Sequence, residues 1–171
     1  TIQIANELHA LLNSAKLVPP YILVGHSMGG LHIQTYAMLY PEDIAGMVFV
    51  DPTPKELVDT LSAESLENLV LAGAAEGVFD EVEAGLNESI PTFKSLPSLP
   101  DVPVVVITSS FTGEGNVDKS QWEELKGYHQ NLSEEVSDGT HIIATKSGHY
   151  IQMEEPDLVV GAIQSVFNKV K

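Results

Sequence analysis

Residues 21–30 read Tyr21-Ile22-Leu23-Val24-Gly25-His26-Ser27-Met28-Gly29-Gly30. The first four residues are apolar and predict a short buried strand, and the residues from Met28 to Tyr40 predict a helix. Between strand and helix lies the pattern Gly-x-Ser-x-Gly, which in this context is typical of a nucleophile elbow. Such a turn holds its serine in a strained conformation with the hydroxyl clear of the sheet. Ser27 is therefore the candidate nucleophile.

Glycine flanks the serine on both sides of this turn. Gly25 and Gly29 are expected to let the strand and the helix pack closely, because glycine has no Cβ. The structural alternative is an ordinary loop rich in small residues, in which Ser27 only caps the helix. The sequence favours the catalytic interpretation, since candidate partners follow Ser27 in the required order.

Strand and helix alternate along the rest of the chain. Three more apolar runs predict strands at 47–50, 102–107 and 141–144. Helices are predicted at 1–14, 121–132 and after Pro156, on the period of apolar residues. This alternation predicts an α/β fold with a mostly parallel sheet flanked by helices.

The chain is expected to form one domain, residues 1–171. Between residues 54 and 100 the strand pattern stops, and segments with helical periodicity are interrupted by glycine and proline. We interpret this segment as a small helical cap insertion over the carboxyl ends of the strands, where open α/β sheets bind ligands. A long surface crossover is the simpler alternative.

Composition excludes several classes of function. The chain has 24 acidic and 8 basic residues, which give a formal net charge of −16. The basic residues are all lysine. This charge repels polyanions, so nucleic acid is not expected as a partner and anionic substrates are disfavoured. There is no cysteine, hence no thiolate nucleophile and no cysteine zinc site. No apolar run approaches the ~20 residues of a membrane span.

Residues 1–14 carry no targeting signal that the sequence pattern identifies. Thr1 is not an initiator methionine, and residues 1–14 resemble neither a signal peptide nor a basic targeting segment. We expect the numbered chain to start within a larger fold, which a missing N-terminal segment or an oligomer would complete. A cytoplasmic location is the default expectation.

A serine hydroxyl needs an imidazole base, and the chain offers six histidines. His149 alone lies in a loop just past a predicted strand and before the last helix, which fits the chain order serine, acid, histidine. His26 lies inside the turn, where it cannot reach the neighbouring hydroxyl in attacking geometry. His129 is predicted on a helix surface and His141 within a strand. The predicted general base is His149, which has no partner at metal-ligand spacing, so no metal or cofactor is expected.

The acid that orients the imidazole is predicted to be Asp51, which ends a strand and precedes Pro52. A plain Asx turn is the structural alternative, because Asp-Pro commonly starts turns. Asp118 and Glu114 remain alternative acids, although their loop would have to fold back.

An oxyanion in the transition state needs two backbone donors. The N–H of Met28 is the predicted first donor, because it begins the helix directly after the nucleophile and the helix dipole favours negative charge there. The second donor is expected from a loop that would precede Tyr21.

Several segments together carry a resemblance to the α/β-hydrolase fold superfamily, in its esterase and lipase-like branch. They are Gly25–Gly30, Tyr40–Glu42, Met47–Pro52, Ser147–Gln152 and Glu155-Pro156. The chain corresponds to about the C-terminal two-thirds of such a protein, without its N-terminal strands and oxyanion loop. The resemblance implies Ser27 as nucleophile, His149 as base and a helical cap over the site. Some relatives place the acid after the strand that follows the nucleophile, which matches Asp51.

These observations predict a cofactor-free serine hydrolase that cleaves carboxylic esters of small neutral or apolar substrates through an acyl-enzyme. Related proteins that act on amide, lactone or thioester bonds would share the same turn. A different class also fits, namely a non-catalytic or truncated scaffold that binds a ligand or partner without turnover.

Overall fold

The computed structural model describes residues 1–56, 96–110 and 119–171. Its helices and strands, in chain order, are α1 (Ile2–Ser14), β1 (Tyr21–His26), α2 (Met28–Leu39), a 3₁₀ turn (Pro41–Asp43), β2 (Ile44–Val50), β3 (Val104–Thr108), α3 (Lys119–Glu134), β4 (Gly139–Ile143), α4 (Ile151–Glu154) and α5 (Pro156–Lys169).

The four strands form one sheet in the order β1-β2-β3-β4, and each neighbouring pair is parallel. Parallel neighbours require a crossover between them, which is why strand and helix alternate in the sequence. The predicted α/β class, with a parallel sheet flanked by helices, is confirmed. The predicted cap at 54–100 falls mostly on residues 57–95, which lie outside the described residues, so the cap and the single-domain assignment stay predictions.

Both faces of the sheet are covered, because successive side chains of a strand point to opposite faces. In β2, Met47 and Phe49 pack in a core with α1, α2 and α3, whereas Val48 and Val50 pack in a second core with α5. All four side chains are fully buried. The unbroken apolar run of β2 is thus the signature of a strand with no solvent face.

Strand boundaries differ from the sequence prediction where pairing, rather than hydrophobicity, decides them. β1 continues two residues past the apolar run, because Gly25 and His26 pair with Phe49 and Val50. β2 begins at Ile44, before the predicted start. β1 therefore delivers His26 directly to the carboxyl edge of the sheet.

Helix α2 is the central helix of the first core. Its buried residues include Leu31, Gln34 and Met38 on one side and Ile33 and Ala37 on another. A helix that is buried nearly all round has little freedom to shift. The residue that precedes it, Ser27, is therefore attached to a fixed support.

Candidate active site

The carboxyl ends of the four strands are joined by backbone hydrogen bonds that continue past the ladder. The N–H of Ser27 donates to the C=O of Val50 at 3.1 Å, and the N–H of Asp51 donates to the C=O of Ile107 at 2.7 Å. The N–H of Ala144 donates to the C=O of Thr108 at 2.8 Å, and the N–H of Ser110 donates to the C=O of Ser147 at 2.9 Å. These bonds hold the segments that follow β1, β2, β3 and β4 at one edge of the sheet. This is the edge at which open α/β sheets bind ligands.

Ser27 occupies a strained turn between β1 and α2. Its φ of 54° and ψ of −124° lie in a region that residues with a side chain seldom adopt. The C=O of Ser27 accepts hydrogen bonds from the N–H groups of Gly30 and Thr53, both at 2.9 Å. Its hydroxyl makes no capping hydrogen bond to α2. The backbone of Ser27 is thus fixed on both sides while its hydroxyl is not used for capping.

Close approach of strand and helix depends on Gly25 and Gly30. A Cβ on Gly25 would lie 2.5 Å from the carbonyl oxygen of Gly29, and a Cβ on Gly30 would lie 2.5 Å from Cβ of Pro52. Gly29 differs from expectation, because a Cβ there would meet nothing within 4 Å. The close packing of strand and helix therefore requires glycine at Gly25, the first glycine of the motif, and at Gly30, which follows the motif.

Asp51 follows β2 and is 5% exposed. Its backbone is also in the left-handed region, with φ 43°, which aspartate tolerates better than most residues. Oδ1 accepts a hydrogen bond from the N–H of Ser109 at 2.9 Å, and Oδ2 lies 2.8 Å from Nδ1 of His149. Burial raises the pKa of Asp51, but the hydrogen bonds from His149 and Ser109 outweigh it and hold this pKa below its ordinary value. The carboxylate is therefore charged at neutral pH.

His149 lies in the loop between β4 and α4, and its side chain is 44% exposed. Because the charged carboxylate of Asp51 only accepts hydrogen bonds, the hydrogen of the neutral imidazole is on Nδ1. Nε2 is then an acceptor. An imidazole with one nitrogen fixed by a buried carboxylate and the other available as a base is suited to proton transfer.

The segment before His149 is held by the carboxylates of Glu154, the last residue of α4, and of Glu155, which follows it. Oε2 of Glu155 accepts from the N–H of Lys146 at 2.9 Å and from Oγ of Ser147 at 2.8 Å. Oε2 of Glu154 accepts from the N–H of Gly148 at 3.0 Å. The loop is thus anchored to the helix that follows it.

His26 connects the turn to the same loop. Its Nε2 lies 2.9 Å from the backbone oxygen of His149, and the two ring centroids are 4.6 Å apart. The ring of Tyr150, which is 58% exposed, lies 5.7 Å from that of His26. The residue that precedes Ser27 therefore contacts the predicted base directly.

His129 corrects the sequence prediction, because it is fully buried rather than on a helix surface. Its Nε2 lies 2.7 Å from the C=O of Pro52, and its Nδ1 lies 2.8 Å from Oγ1 of Thr108. Since a carbonyl only accepts, the hydrogen is on Nε2, and Thr108 donates to Nδ1 while accepting from Nε2 of His141 at 2.7 Å. Burial lowers the pKa of His129 and keeps it neutral. This chain of hydrogen bonds supports the turn that carries Asp51.

The other predicted site residues are placed as follows. Met28 is the first residue of α2, directly after Ser27. The alternative acids Glu114 and Asp118 lie outside the described residues. Within residues 1–56, 96–110 and 119–171, no three His, Cys, Asp or Glu side chains are grouped so that they could hold a metal ion. Over the same residues no helix is long and apolar enough to cross a membrane.

Sequence analysis missed the supporting residues of this site. The N–H of Ser109 was foreseeable, because the residue after β3 lies beside the residue after β2 in a parallel sheet. The role of His129 had no local signal, since its partners are 21 and 77 residues away. His26 was excluded as a base, and its contact with the backbone of His149 was not considered.

The fold is an open parallel α/β sheet, and a serine turn, a buried aspartate and a histidine lie at the carboxyl edge of this sheet. Residues 1–81 match the family described as alpha/beta hydrolase fold. The chain is 28% identical over 167 residues to the uncharacterized protein YqjL of Bacillus subtilis (strain 168), a match that covers 96% of this chain and 64% of YqjL.

Two solved esterases have the same fold. The thermophilic esterase of Thermogutta terrifontis is 20% identical, with a TM-score of 0.61 over 97% of this chain and 71% of the esterase. The esterase RhEst1 of Rhodococcus sp. ECU1013 is 18% identical, with a TM-score of 0.57 over 98% of this chain and 72% of RhEst1. This chain has the α/β-hydrolase fold, and it spans about two thirds of the length of the relatives it matches.

Proposed function

We propose that this chain carries the catalytic residues of a cofactor-free serine hydrolase that cleaves carboxylic esters of small neutral or apolar substrates. The observation that carries the proposal is the 2.8 Å contact between Nδ1 of His149 and Oδ2 of Asp51, at the sheet edge where the strained turn holds Ser27. In this proposal the turn at Ser27 is a nucleophile elbow, and Ser27, His149 and Asp51 form a catalytic triad.

The reaction follows from the roles of these groups. Oγ of Ser27 attacks the ester carbonyl carbon, and its proton moves to Nε2 of His149. Asp51 stabilises the resulting imidazolium, and the N–H of Met28 donates to the oxyanion of the tetrahedral intermediate. When the intermediate collapses, the carbon–oxygen bond to the alcohol breaks and the alcohol takes the proton from His149. Water, deprotonated by His149, then attacks the acyl carbon. The bond from this carbon to Oγ of Ser27 breaks, Oγ takes the proton back from His149, and the acid is released.

Charge supports the choice of neutral substrates. The formal net charge of −16 raises the energy of an anion near the protein, more so at low ionic strength. A neutral acetate ester is therefore expected to react faster than the monoester of a dicarboxylic acid with the same alcohol. The difference should shrink when salt is added.

The decisive experiment compares Ser27→Ala with the wild type on a short-chain aryl ester. Turnover is expected to fall by at least about 10³-fold, and a fluorophosphonate probe should modify Ser27 in the wild type only. Ser165→Ala, at an exposed serine of α5, is the matched control and should behave as the wild type. Equal turnover by the Ser27→Ala variant would exclude this function.

A second candidate is a scaffold that binds a ligand or partner without turnover. One observation favours it, namely that the side chain of His149 is 44% exposed. Fluorophosphonate labelling separates the two candidates, because a serine that is not activated does not react. Labelling at Ser27 detected by mass spectrometry would exclude the second candidate.

A further inference from the structure

His26 joins the turn at Ser27 to the loop of His149. Its Nε2 donates to the backbone oxygen of His149 at 2.9 Å, and the direction of the bond is fixed because a carbonyl only accepts. The two residues are 123 positions apart in the chain. This hydrogen bond therefore connects the turn at Ser27 with the loop of His149.

One end of this connection is rigid. His26 is the last residue of β1, and it pairs with Val50 in the sheet. The next residue, Ser27, donates its N–H to the C=O of Val50 and accepts two backbone hydrogen bonds of its own. Any movement of the His26 ring relative to Ser27 is therefore limited to rotation of its own side chain.

The other end has separate supports. Glu155 and Glu154 hold the backbone N–H groups and hydroxyl of residues 146–148, and Ser110 holds the C=O of Ser147. These contacts end one residue before His149. Asp51 fixes the imidazole at Nδ1, but one hydrogen bond does not set the orientation of the ring about that bond. The hydrogen bond from His26 restrains the backbone from which the ring extends.

The His26 ring also stays neutral. Burial lowers the pKa of His26, and a charge on His149 would lower it further. The carboxylate of Asp51 lies 2.8 Å from Nδ1 of the neighbouring imidazole, His149. His26 remains a hydrogen-bond donor throughout and does not compete for the proton.

We propose that His26 is a positioning residue, which sets the separation and angle between Ser27 and Nε2 of His149 through its hydrogen bond to the His149 backbone. This inference rests on the proposed function. A displacement of about 1 Å between reacting groups costs on the order of 10²-fold in rate. The Gly-His-Ser turn thus supplies both the nucleophile and the contact that fixes the position of its base.

The test replaces His26 in two ways. His26→Leu removes the donor, whereas His26→Gln keeps an N–H at a similar distance from the backbone. We expect His26→Leu to lower kcat for an aryl ester by about 10-fold to 100-fold with KM changed less than about twofold, since the bond acts on the reacting groups. His26→Gln should recover most of the lost kcat. His32→Leu, at a neighbouring histidine on α2 outside the site, is the matched control and should keep the wild-type kcat.

A second readout does not depend on catalysis. The Nδ1–H proton of His149, bonded to Asp51, is followed by NMR in a Ser27→Ala background. We expect its exchange with water to be faster after His26→Leu and restored after His26→Gln. Wild-type kcat and wild-type exchange in the His26→Leu variant would overturn the inference, as would an equal loss in both His26 variants. A wild type that no fluorophosphonate modifies would overturn the proposed function instead, and the exchange measurement would then decide the positioning role alone.

Discussion

Asp51 and His149 are 98 residues apart in the chain, yet Oδ2 of the first lies 2.8 Å from Nδ1 of the second. Three parallel strands lie between and beside them, and the carboxyl ends of those strands place both residues at one edge of the sheet. The buried carboxylate fixes the tautomer of the imidazole. It also places a negative charge where an imidazolium would form.

Asp51→Asn is expected to lower ester turnover by on the order of 10³-fold to 10⁴-fold, because an amide can donate to Nδ1 and favours the wrong tautomer. Steady-state kinetics on a short-chain aryl ester measure this loss. Asp43→Asn is the matched control. Asp43 also contacts a histidine, His9 at 3.1 Å, but it precedes β2, whereas Asp51 follows it. A loss of similar size in both variants would show that the effect is one of folding.

The carboxylate of Asp51 also links stability to pH. Its pKa in the folded state is lowered, so its contribution is present above the pKa of an unfolded aspartate, about 3.9, and is lost as the pH falls through the lower folded value. The wild type should therefore approach the stability of Asp51→Asn as the pH falls from about 5 to about 2. Urea unfolding followed at several pH values measures this. A constant difference over that range would contradict the assignment.

His32 is a base and not an acid, but its lowered pKa also makes the protein less stable as the pH falls. Burial lowers its pKa from 6.5 to about 4, and its Nδ1 has no hydrogen-bond partner among the described residues. Between these two values the unfolded chain binds more protons than the folded one, so His32 reduces stability as the pH falls from 6.5 towards 4. In His32→Leu the loss of stability over this interval should be smaller than in the wild type. Thermal unfolding at pH 7 and at about pH 4.5, near the lower end of this interval, tests it. Equal losses in the two proteins would refute it.

Gly25 and Gly29 should respond differently to alanine. Gly25→Ala places a Cβ 2.5 Å from a backbone oxygen and is expected to cost about 1–3 kcal/mol or to prevent folding. Gly29→Ala places its Cβ in open space within helix α2, so it should be neutral or stabilise by up to about 1 kcal/mol. Urea midpoints of the two variants give the comparison. Equal destabilisation by both would contradict the packing described for this turn.

His129→Leu is expected to destabilise the protein by about 1–3 kcal/mol, because the buried C=O of Pro52 loses its donor. His129→Gln keeps an N–H that can reach this carbonyl and should recover part of the loss. Urea unfolding provides both values. A His129→Leu variant as stable as the wild type would mean that the buried hydrogen bonds contribute nothing net.

Much of the fold was predictable because apolar runs report burial. The all-apolar run at Met47–Val50 predicted a strand in a parallel sheet flanked by helices, and the cores on the two sides of β2 agree with this. The order serine, aspartate, histidine was also visible, since residues that follow parallel strands meet at one edge. The pairing of Gly25 and His26 was not, because it depends on a neighbouring strand and not on the side chains themselves.

The supporting contacts were not predictable for a different reason. A single histidine in a helix has the same local pattern whether it faces water or a buried carbonyl, so His129 was placed on the surface. The contact of His26 joins positions 123 residues apart, and nothing near either end encodes it. Side-chain hydrogen bonds between distant segments become visible only when the sheet brings the segments together.

The positive φ of Asp51 has an evolutionary consequence. Aspartate, asparagine and glycine are the residues that adopt this conformation most easily, whereas glutamate fits it poorly. Aspartate is therefore the residue that supplies a negative charge at this point with the least backbone strain. A single-nucleotide change from an aspartate to an asparagine codon would keep the shape of the turn and remove its charge, which under the proposed function gives a lineage a short genetic route to an inactive paralogue.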